Sequence, residues 1–197
     1  DSESQGVFFV NMPDFASSLN SVQIQRGVGA STNGPGAFGA TMNLETDVFS
    51  DKAYGEINNS FGSFNTRKHT VKFGTGIMEN KFAFEGRISR LASDGFVDRA
   101  FSDMSSYYLS GGYFGDKITV KAIAFGGTQQ VYQAWDGITK ETLDTNRTFN
   151  FTGALYDENG NITGFYENET DNYRQDHYQL HLSSKLTKNT HLNVSGH

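Results

Sequence analysis

The chain has 197 residues, 19% of them charged, and a formal net charge of −6. This balance argues against nucleic-acid binding, which needs clustered Lys and Arg side chains. Because the chain contains no Cys, disulfide frameworks, Cys-based zinc sites and thiol nucleophiles are excluded. No uninterrupted apolar run approaches the length of about 18 residues that a transmembrane helix needs. A mean hydropathy of −0.52 still permits a membrane β-barrel, whose strands alternate polar and apolar side chains.

The first 50 residues contain little regular pattern. Two short apolar runs, at 7–10 and 22–25, predict strands. A single short helix is predicted at 14–19, where Asp14 follows Pro13 and is a possible N-cap. A stretch rich in Gly, Ala and Ser follows, and a persistent alternation of apolar and polar residues begins only after it. We therefore expect a domain boundary after residue 50, with one domain at 1–50 and another at 51–197.

Beyond this boundary, apolar and polar residues alternate over long strands. The strands are roughly 9–13 residues long, which is longer than the usual mode of about 5–6 and suits a tilted membrane strand. Because successive side chains point to opposite faces, each strand has one apolar and one polar face. We expect lipid to contact an apolar face that includes Val71, Phe73, Phe82, Phe84, Ile88, Leu180 and Leu182. We expect a lumen to border a polar face that includes Lys72, Glu85, Arg87, His177 and His181.

The predicted connections alternate between tight turns and other, partly longer loops. In chain order they are 62–66, 78–80, 93–104, 115–116, 132–172 and 187–189. Short turns on one rim and long loops on the other are typical of outer-membrane barrels. Aromatic residues also gather near the predicted strand ends, as a membrane-interface girdle would require; they are Tyr54, Phe61, Tyr107, Tyr113, Tyr173 and Tyr178. Ordinary strand propensity is the alternative explanation for these aromatic residues.

No combination of residues predicts catalysis or a metal site. His177 and His181 are four residues apart on a strand, which separates them by roughly 13 Å, too far for one metal ion. Glu85 and Arg87 share a face and predict a solvated pair in the wall. The segment 157–161 has some features of a calcium loop, but Asn159-Gly160 predicts a hairpin turn better. We therefore expect no enzymatic activity and no cofactor.

One segment resembles a known family. The sequence VQIQRG at 22–27, followed by GPGAFG at 34–39 and MNLET at 42–46, resembles the end of the plug domain of TonB-dependent outer-membrane receptors. In that family, I-E-V-x-R-G leads through a Gly-rich loop into G-A-x-G-G-x-I-N-I-x-T. Two positions depart from the pattern, because Gln23 replaces the usual acidic residue and Ala40 replaces the second Gly.

The resemblance implies a fold and a function. The fold would be all-β: part of a plugged, antiparallel transmembrane β-barrel of about 22 strands, together with the C-terminal part of the plug. Residues 1–50 would belong to the plug, and 51–197 would form about seven barrel strands. Because seven strands leave open edges and the last one runs to the end of the chain, we expect a fragment of a larger receptor.

The implied function is active transport of a scarce nutrient across the bacterial outer membrane. The nutrient would be an iron–siderophore, haem, cobalamin or a glycan. Implied partners are the TonB–ExbB–ExbD complex, through a segment outside this chain, together with a small-molecule or metal-chelate ligand and outer-membrane lipid. The alternative from the residues alone is a soluble secreted β-sandwich that binds glycans through exposed aromatic side chains.

Two sets of candidate site residues follow. By resemblance, Arg26 matches the plug arginine that pairs with acidic residues of the barrel wall. The long loop at 132–172 is far beyond the length of about 12–15 residues above which loops usually have a function or are disordered. Its aromatic side chains are spread along the loop, and its ligand-facing candidates are Tyr132, Trp135, Asp136 and Tyr156.

Overall fold

A computed structural model describes residues 12–28, 39–46 and 49–197. The predicted strand at 7–10 and most of the Gly-rich stretch lie outside the described residues. Within the described ranges, no helix has the length and apolar character needed to cross a membrane.

Residues 12–28 and 39–46, here called the N-terminal segment, form a one-turn 3-10 helix and a strand pair. The 3-10 helix is Phe15–Ser18, shorter than the helix predicted at 14–19. Strands β1 (Leu19–Arg26) and β2 (Ala40–Thr46) are antiparallel, and the strand predicted at 22–25 is confirmed by β1.

The rest of the chain forms one large antiparallel sheet with an inserted hairpin. Its elements in chain order are β3 (Lys52–Phe61), β4 (Arg67–Gly76), β5 (Phe82–Ser93), β6 (Ser102–Phe114), β7 (Ile118–Tyr132), α1 (Lys140–Thr145), β8 (Ala154–Tyr156), β9 (Ile162–Phe165), β10 (Thr170–Lys185) and β11 (His191–Gly196). The seven-stranded sheet has the order β3-β4-β5-β6-β7-β10-β11, and β8 pairs with β9. The predicted all-β, antiparallel architecture is confirmed. Within the described ranges there are three sheets, of seven, two and two strands. This arrangement differs from the two large packed sheets that the β-sandwich alternative requires.

Connections of two kinds alternate along this sheet, as the sequence predicted. The turns at 77–81, 115–117 and 186–190 lie on one rim, and the connections at 62–66, 94–101 and 133–169 lie on the other. The first turn is tight because Glu79 and Asn80 have positive φ angles of 49° and 55°. The peptide N–H of Met78 donates to the Phe82 carbonyl at 2.7 Å and closes it.

The face of the large sheet that points away from the N-terminal segment, here called the outer face, is apolar over four cross-strand rows. Phe84, Ile88 and Leu180 are 49%, 58% and 55% exposed there, and register and alternation place them on one side. This apolar band comprises Ile57, Val71, Phe73, Phe82, Phe84, Ile88, Leu109, Tyr113, Val120, Ala122, Ala124, Tyr178, Leu180 and Leu182. The predicted apolar set thus shares one face; its contact with lipid stays a prediction.

Beyond the apolar band, toward the rim with the longer connections, the same outer face becomes polar. These polar rows comprise Asn59, Arg67, His69, Arg90, Asp103, Ser105, Thr128, Gln130, Asn172 and Arg174. Among the predicted girdle residues, Phe61, Tyr107, Tyr113 and Tyr178 lie on the outer face. The assignment of Tyr54 and Tyr173 to that girdle is wrong, because their registers with Gly74 and Gln129 place both on the opposite face.

The inner face, which contacts the N-terminal segment, is mostly polar but contains a small apolar core. Tyr108, Ile123 and Phe125 are buried there, and Met12 and Phe15 pack against them. The rings of Phe15 and Phe125 lie 4.5 Å apart. Strand β7 is therefore apolar on both faces along part of its length, which a simple alternation does not predict.

Candidate functional site

The main polar contact between the N-terminal segment and the sheet is centred on Asp14. One carboxylate oxygen accepts from the Lys68 ammonium at 2.5 Å, and the other accepts from Arg87 Nη1 at 2.9 Å. Ser89 Oγ also donates to Asp14. Strands β4 and β5 therefore place two cations around one carboxylate of the N-terminal segment.

Arg87 is the buried side of this contact. Its side chain is only 3% exposed, and Nε donates to Ser18 Oγ at 2.7 Å while Nη1 donates to Ser106 Oγ at 3.1 Å. Asp14, which precedes the 3-10 helix, and Ser18, its last residue, therefore both contact Arg87. A charge this buried is tolerated only where it is paired and hydrogen-bonded.

Asp14 occupies the predicted N-cap position of the 3-10 helix, but its side chain does not cap the helix. Asp14 has a left-handed backbone (φ 52°) and makes no side-chain cap to the helix backbone. Burial raises the pKa of its carboxyl, but hydrogen bonds from Lys68, Ser17 and Ser89, together with the charge of Arg87, lower it more strongly. The pKa therefore lies below its ordinary value, and Asp14 is ionised at neutral pH.

The structure overturns one sequence-based expectation about charged residues and leaves another untested. The interpretation of Glu85 and Arg87 as a solvated pair is wrong, because they are only 5% and 2% exposed. Glu85 accepts from the backbone N–H of Ser50 at 2.8 Å, and Arg87 pairs with Asp14. Arg26 lies exposed at the end of β1, and no ion pair joins it to another described residue, so its predicted contact stays a prediction.

A second cluster joins the connections at 94–101 and 133–169, and Asn150 is its centre. The Asn150 amide donates to the carbonyls of Asp98 and Gln133 at 3.2 and 3.0 Å, and its Oδ1 accepts from the N–H of Thr152 at 3.0 Å. Asn150 is 4% exposed. The sequence offered no local signal for this role beyond an Asn-x-Thr pattern.

Arg99 completes the cluster from the other connection. Its guanidinium donates to the Asn150 carbonyl and lies over the Phe165 ring, with Cζ 3.5 Å from the ring centroid. The Tyr132 hydroxyl donates to the Tyr166 carbonyl at 2.8 Å. We call Asp98, Arg99, Tyr132, Asn150 and Phe165 the loop clamp, because together they fix the two connections to each other.

The predicted ligand-facing residues separate into two groups. Trp135 is 78% exposed and Tyr156 is 57% exposed, while Asp136 is also exposed. Tyr132 is only 4% exposed and belongs to the loop clamp, because its hydroxyl is used inside the loop. Tyr132 therefore supports the loop and does not present a surface to a ligand.

The segment at 157–161 forms the turn of the β8–β9 hairpin, as the Asn-Gly pair predicted. Asp157 Oδ1 accepts from the N–H groups of Asn159 and Asn161 at 2.9 and 2.7 Å. These hydrogen bonds, above all the one from Asn161, hold the pKa of Asp157 below its ordinary value. The carboxylate is therefore already used to close the turn.

No group of three or more His, Cys, Asp or Glu side chains converges on a metal position within residues 12–28, 39–46 and 49–197. His177 Nδ1 instead lies 3.0 Å from His197 Nε2, and the two rings are stacked. His181 Nδ1 lies 2.9 Å from Ser195 Oγ. The imidazoles of His177, His181 and His197 thus bond to their neighbours.

Three solved receptors show what this architecture is similar to. The ferric-catecholate import receptor Fiu of Escherichia coli superposes with a TM-score of 0.69 at 15% identity, over 90% of this chain and 28% of that one. The receptor FpvA of Pseudomonas aeruginosa, bound to a heterologous pyoverdine–iron complex, gives 0.66 at 14% identity, over 87% and 22%. The complex of FpvAI with pyocin S2 gives 0.64 at 15% identity, over 85% and 22%.

No family model and no curated protein matches the chain. The chain spans about a quarter of the length of the solved receptors it matches. The fold expected from the resemblance to TonB-dependent receptors is nevertheless confirmed over most of the chain. This chain therefore has the fold of a portion of the outer-membrane siderophore receptors, with seven adjacent antiparallel strands of an unclosed barrel wall.

Proposed function

We propose that the chain is part of a receptor that transports a scarce nutrient across the bacterial outer membrane. The observation that carries this proposal is the outer face, where a continuous apolar band of four rows is exposed on a seven-stranded antiparallel sheet. A soluble sheet buries such a face, whereas a membrane barrel presents it to lipid. The likeness in fold to siderophore receptors supports the same assignment.

The domain assignment and partners belong to this proposal. Residues 1–50 would form the end of a plug, held against the wall by Asp14 and Arg87, and residues 51–197 would be wall strands. An iron–siderophore is the favoured nutrient, since the similar receptors are named for ferripyoverdine and ferric-catecholate import. Energy would come from the TonB–ExbB–ExbD complex acting on a plug segment outside this chain.

Epitope tags test the orientation of the sheet in intact cells. A tag inserted at Asn159, in the β8–β9 turn, should be labelled by an external antibody because long loops of such barrels are extracellular. A tag at Asp116, in the short turn after β6, should be labelled only after the outer membrane is permeabilised. Both positions are exposed, so they form a matched pair. Equal labelling of both tags in intact cells would contradict the proposal.

Trp135 tests the role of the long loop. Its side chain is 78% exposed, although a large aromatic surface is costly in water. This exposure suits a position that contacts a ligand. Trp135→Ala should weaken binding of the transported iron–siderophore about two- to tenfold, the range expected for one aromatic contact. Receptor abundance in the outer membrane should stay constant.

The matched control is Leu143→Ala, on α1 of the same loop, which should leave binding unchanged. Unchanged ligand affinity in Trp135→Ala would assign this side chain a structural role.

A further inference from the structure

Two phenylalanine side chains form an exposed pair on the rim with the longer connections. Phe64 lies in the turn 62–66 and Phe96 in the connection 94–101, and their ring centroids are 5.5 Å apart with the ring planes at 74°. Phe64 is 51% exposed and Phe96 is 50% exposed. Because aromatic rings associate edge-to-face or offset, the open sides of this pair fit a third ring.

The backbone of Phe64 has a conformation that a bulky residue rarely adopts. Phe64 and Asn65, the central residues of the turn, have positive φ angles of 58° and 52°. Such turns favour Asn, Asp or Gly, and a bulky side chain there has a steric cost. The turn on the opposite rim that also has two positive φ angles contains the polar residues Glu79 and Asn80. Strained residues cluster at functional sites, so the strained placement of a phenylalanine on the rim with the long loop indicates a function.

The pair lies beyond the part of the outer face that we assign to lipid. On β4, Val71 is the last residue of the apolar band toward this rim, and His69 and Arg67 of the polar rows follow it. The four residues from Val71 to Arg67 span roughly 13 Å, and Phe64 lies three residues further along the chain. The polar rows thus separate the pair from the hydrocarbon, and contact with lipid chains does not explain its exposure.

The connection 94–101 joins this pair to the long loop. At one end, the N–H of Asp94 donates to the Phe64 carbonyl at 2.9 Å. At the other end, the N–H of Asp98, a loop-clamp residue, donates to the Thr148 carbonyl of the long loop at 2.7 Å. The phenylalanine pair and the long loop therefore share one framework.

We propose that Phe64 and Phe96 form an aromatic subsite that binds an aryl ring of the transported iron chelate. The inference rests on the proposed transport function and narrows its nutrient to iron chelates of the catecholate class, in which the iron-binding oxygens are attached to an aromatic ring. An aliphatic hydroxamate chelate has no ring to place against the pair and gains nothing from it.

Equilibrium binding to the full-length receptor in detergent tests the subsite with two probes. These probes are the iron(III) complexes of a tris-catecholate siderophore and of an aliphatic tris-hydroxamate siderophore. The wild type should bind the catecholate complex more tightly. Phe64→Asn should weaken catecholate binding about two- to tenfold, the range expected for one aromatic contact, and leave hydroxamate binding unchanged. Phe64→Tyr keeps a ring and should retain catecholate binding.

The melting temperature of the receptor separates ligand contact from structural support. Asn tolerates a positive φ better than Phe, so Phe64→Asn relieves the steric cost of the turn and should leave the melting temperature at least as high. The matched control is Glu79→Asn, in the turn on the opposite rim, which should change the affinity for neither chelate.

Unchanged catecholate affinity in Phe64→Asn, or equal losses for the two chelates, would overturn the proposal. A lower melting temperature together with weaker binding would also overturn it, because the pair would then only support the loops. Binding of neither chelate by the wild type would instead refute iron–siderophore transport itself, so the two failures are distinguishable.

Discussion

Asp14→Asn should weaken the hold of the N-terminal segment on the sheet by about 3–5 kcal/mol, because it removes the carboxylate that faces a buried guanidinium. The Arg87 side chain is 3% exposed and cannot recover this interaction from water. The measurement is hydrogen exchange of residues 12–28 in the full-length protein. The matched control is Asp144→Asn, which breaks an exposed pair with Lys140 and should cost at most about 0.5 kcal/mol.

A double-mutant cycle with Arg87→Met separates the ion pair from other effects of the substitution. If Asp14 and Arg87 act together, Asp14→Asn should cost much less in the Arg87→Met background. Additive effects of the two substitutions would show that their contact does not hold the segment.

The same contact should depend on pH in a defined direction. The pKa of Asp14 is lowered in the folded protein. The contribution of its carboxylate to stability is therefore fully present above the ordinary Asp pKa of about 3.9. It is lost as the pH falls through the folded-state pKa, below that ordinary value. Protection of residues 12–28 against hydrogen exchange should therefore persist at pH 5. It should be lost only below the ordinary Asp pKa of about 3.9.

If lipid contacts the outer face as proposed, Phe84→Arg should destabilise the full-length protein in a bilayer by about 2–4 kcal/mol, the cost of a cation near the midplane. Phe84 lies within the apolar band and is 49% exposed. The matched control is Gln130→Arg, which introduces an Arg on the same outer face but in the polar rows. This substitution should cost about 0–1 kcal/mol. Urea-induced unfolding of the receptor in lipid vesicles measures both.

Equal costs at the two positions would contradict a membrane boundary between the apolar band and the polar rows. A one-residue error in register would also be visible, because it would place Phe84 on the inner face.

Local sequence patterns were sufficient for the large sheet. Apolar residues at every second position predicted its strands and the side on which Phe84 and Leu180 lie, because side-chain direction in a strand depends only on position. The Asn-Gly pair predicted the β8–β9 turn for a similarly local reason.

Contacts between distant parts of the chain could not be predicted in this way. Asp14 and Arg87 are 73 residues apart, and a short polar residue after Pro13 has the local features of a helix N-cap. Phe125 packs against Phe15 of the 3-10 helix, and alternation along β7 does not indicate this partner. Asn150 likewise became a central residue through carbonyl groups of two other segments, at Asp98 and Gln133.

The loop clamp has a consequence for how freely this protein can change during evolution. Asn150 and Arg99 fix the bases of two connections, while the β8–β9 hairpin projects beyond them and closes its own turn through Asp157. Substitutions or short insertions at the hairpin tip should therefore leave the strands of the large sheet undisturbed, since exposed tips with few outside contacts tolerate such changes. In the proposed receptor, new ligand preferences would arise at this tip while selection keeps the clamp and the sheet constant.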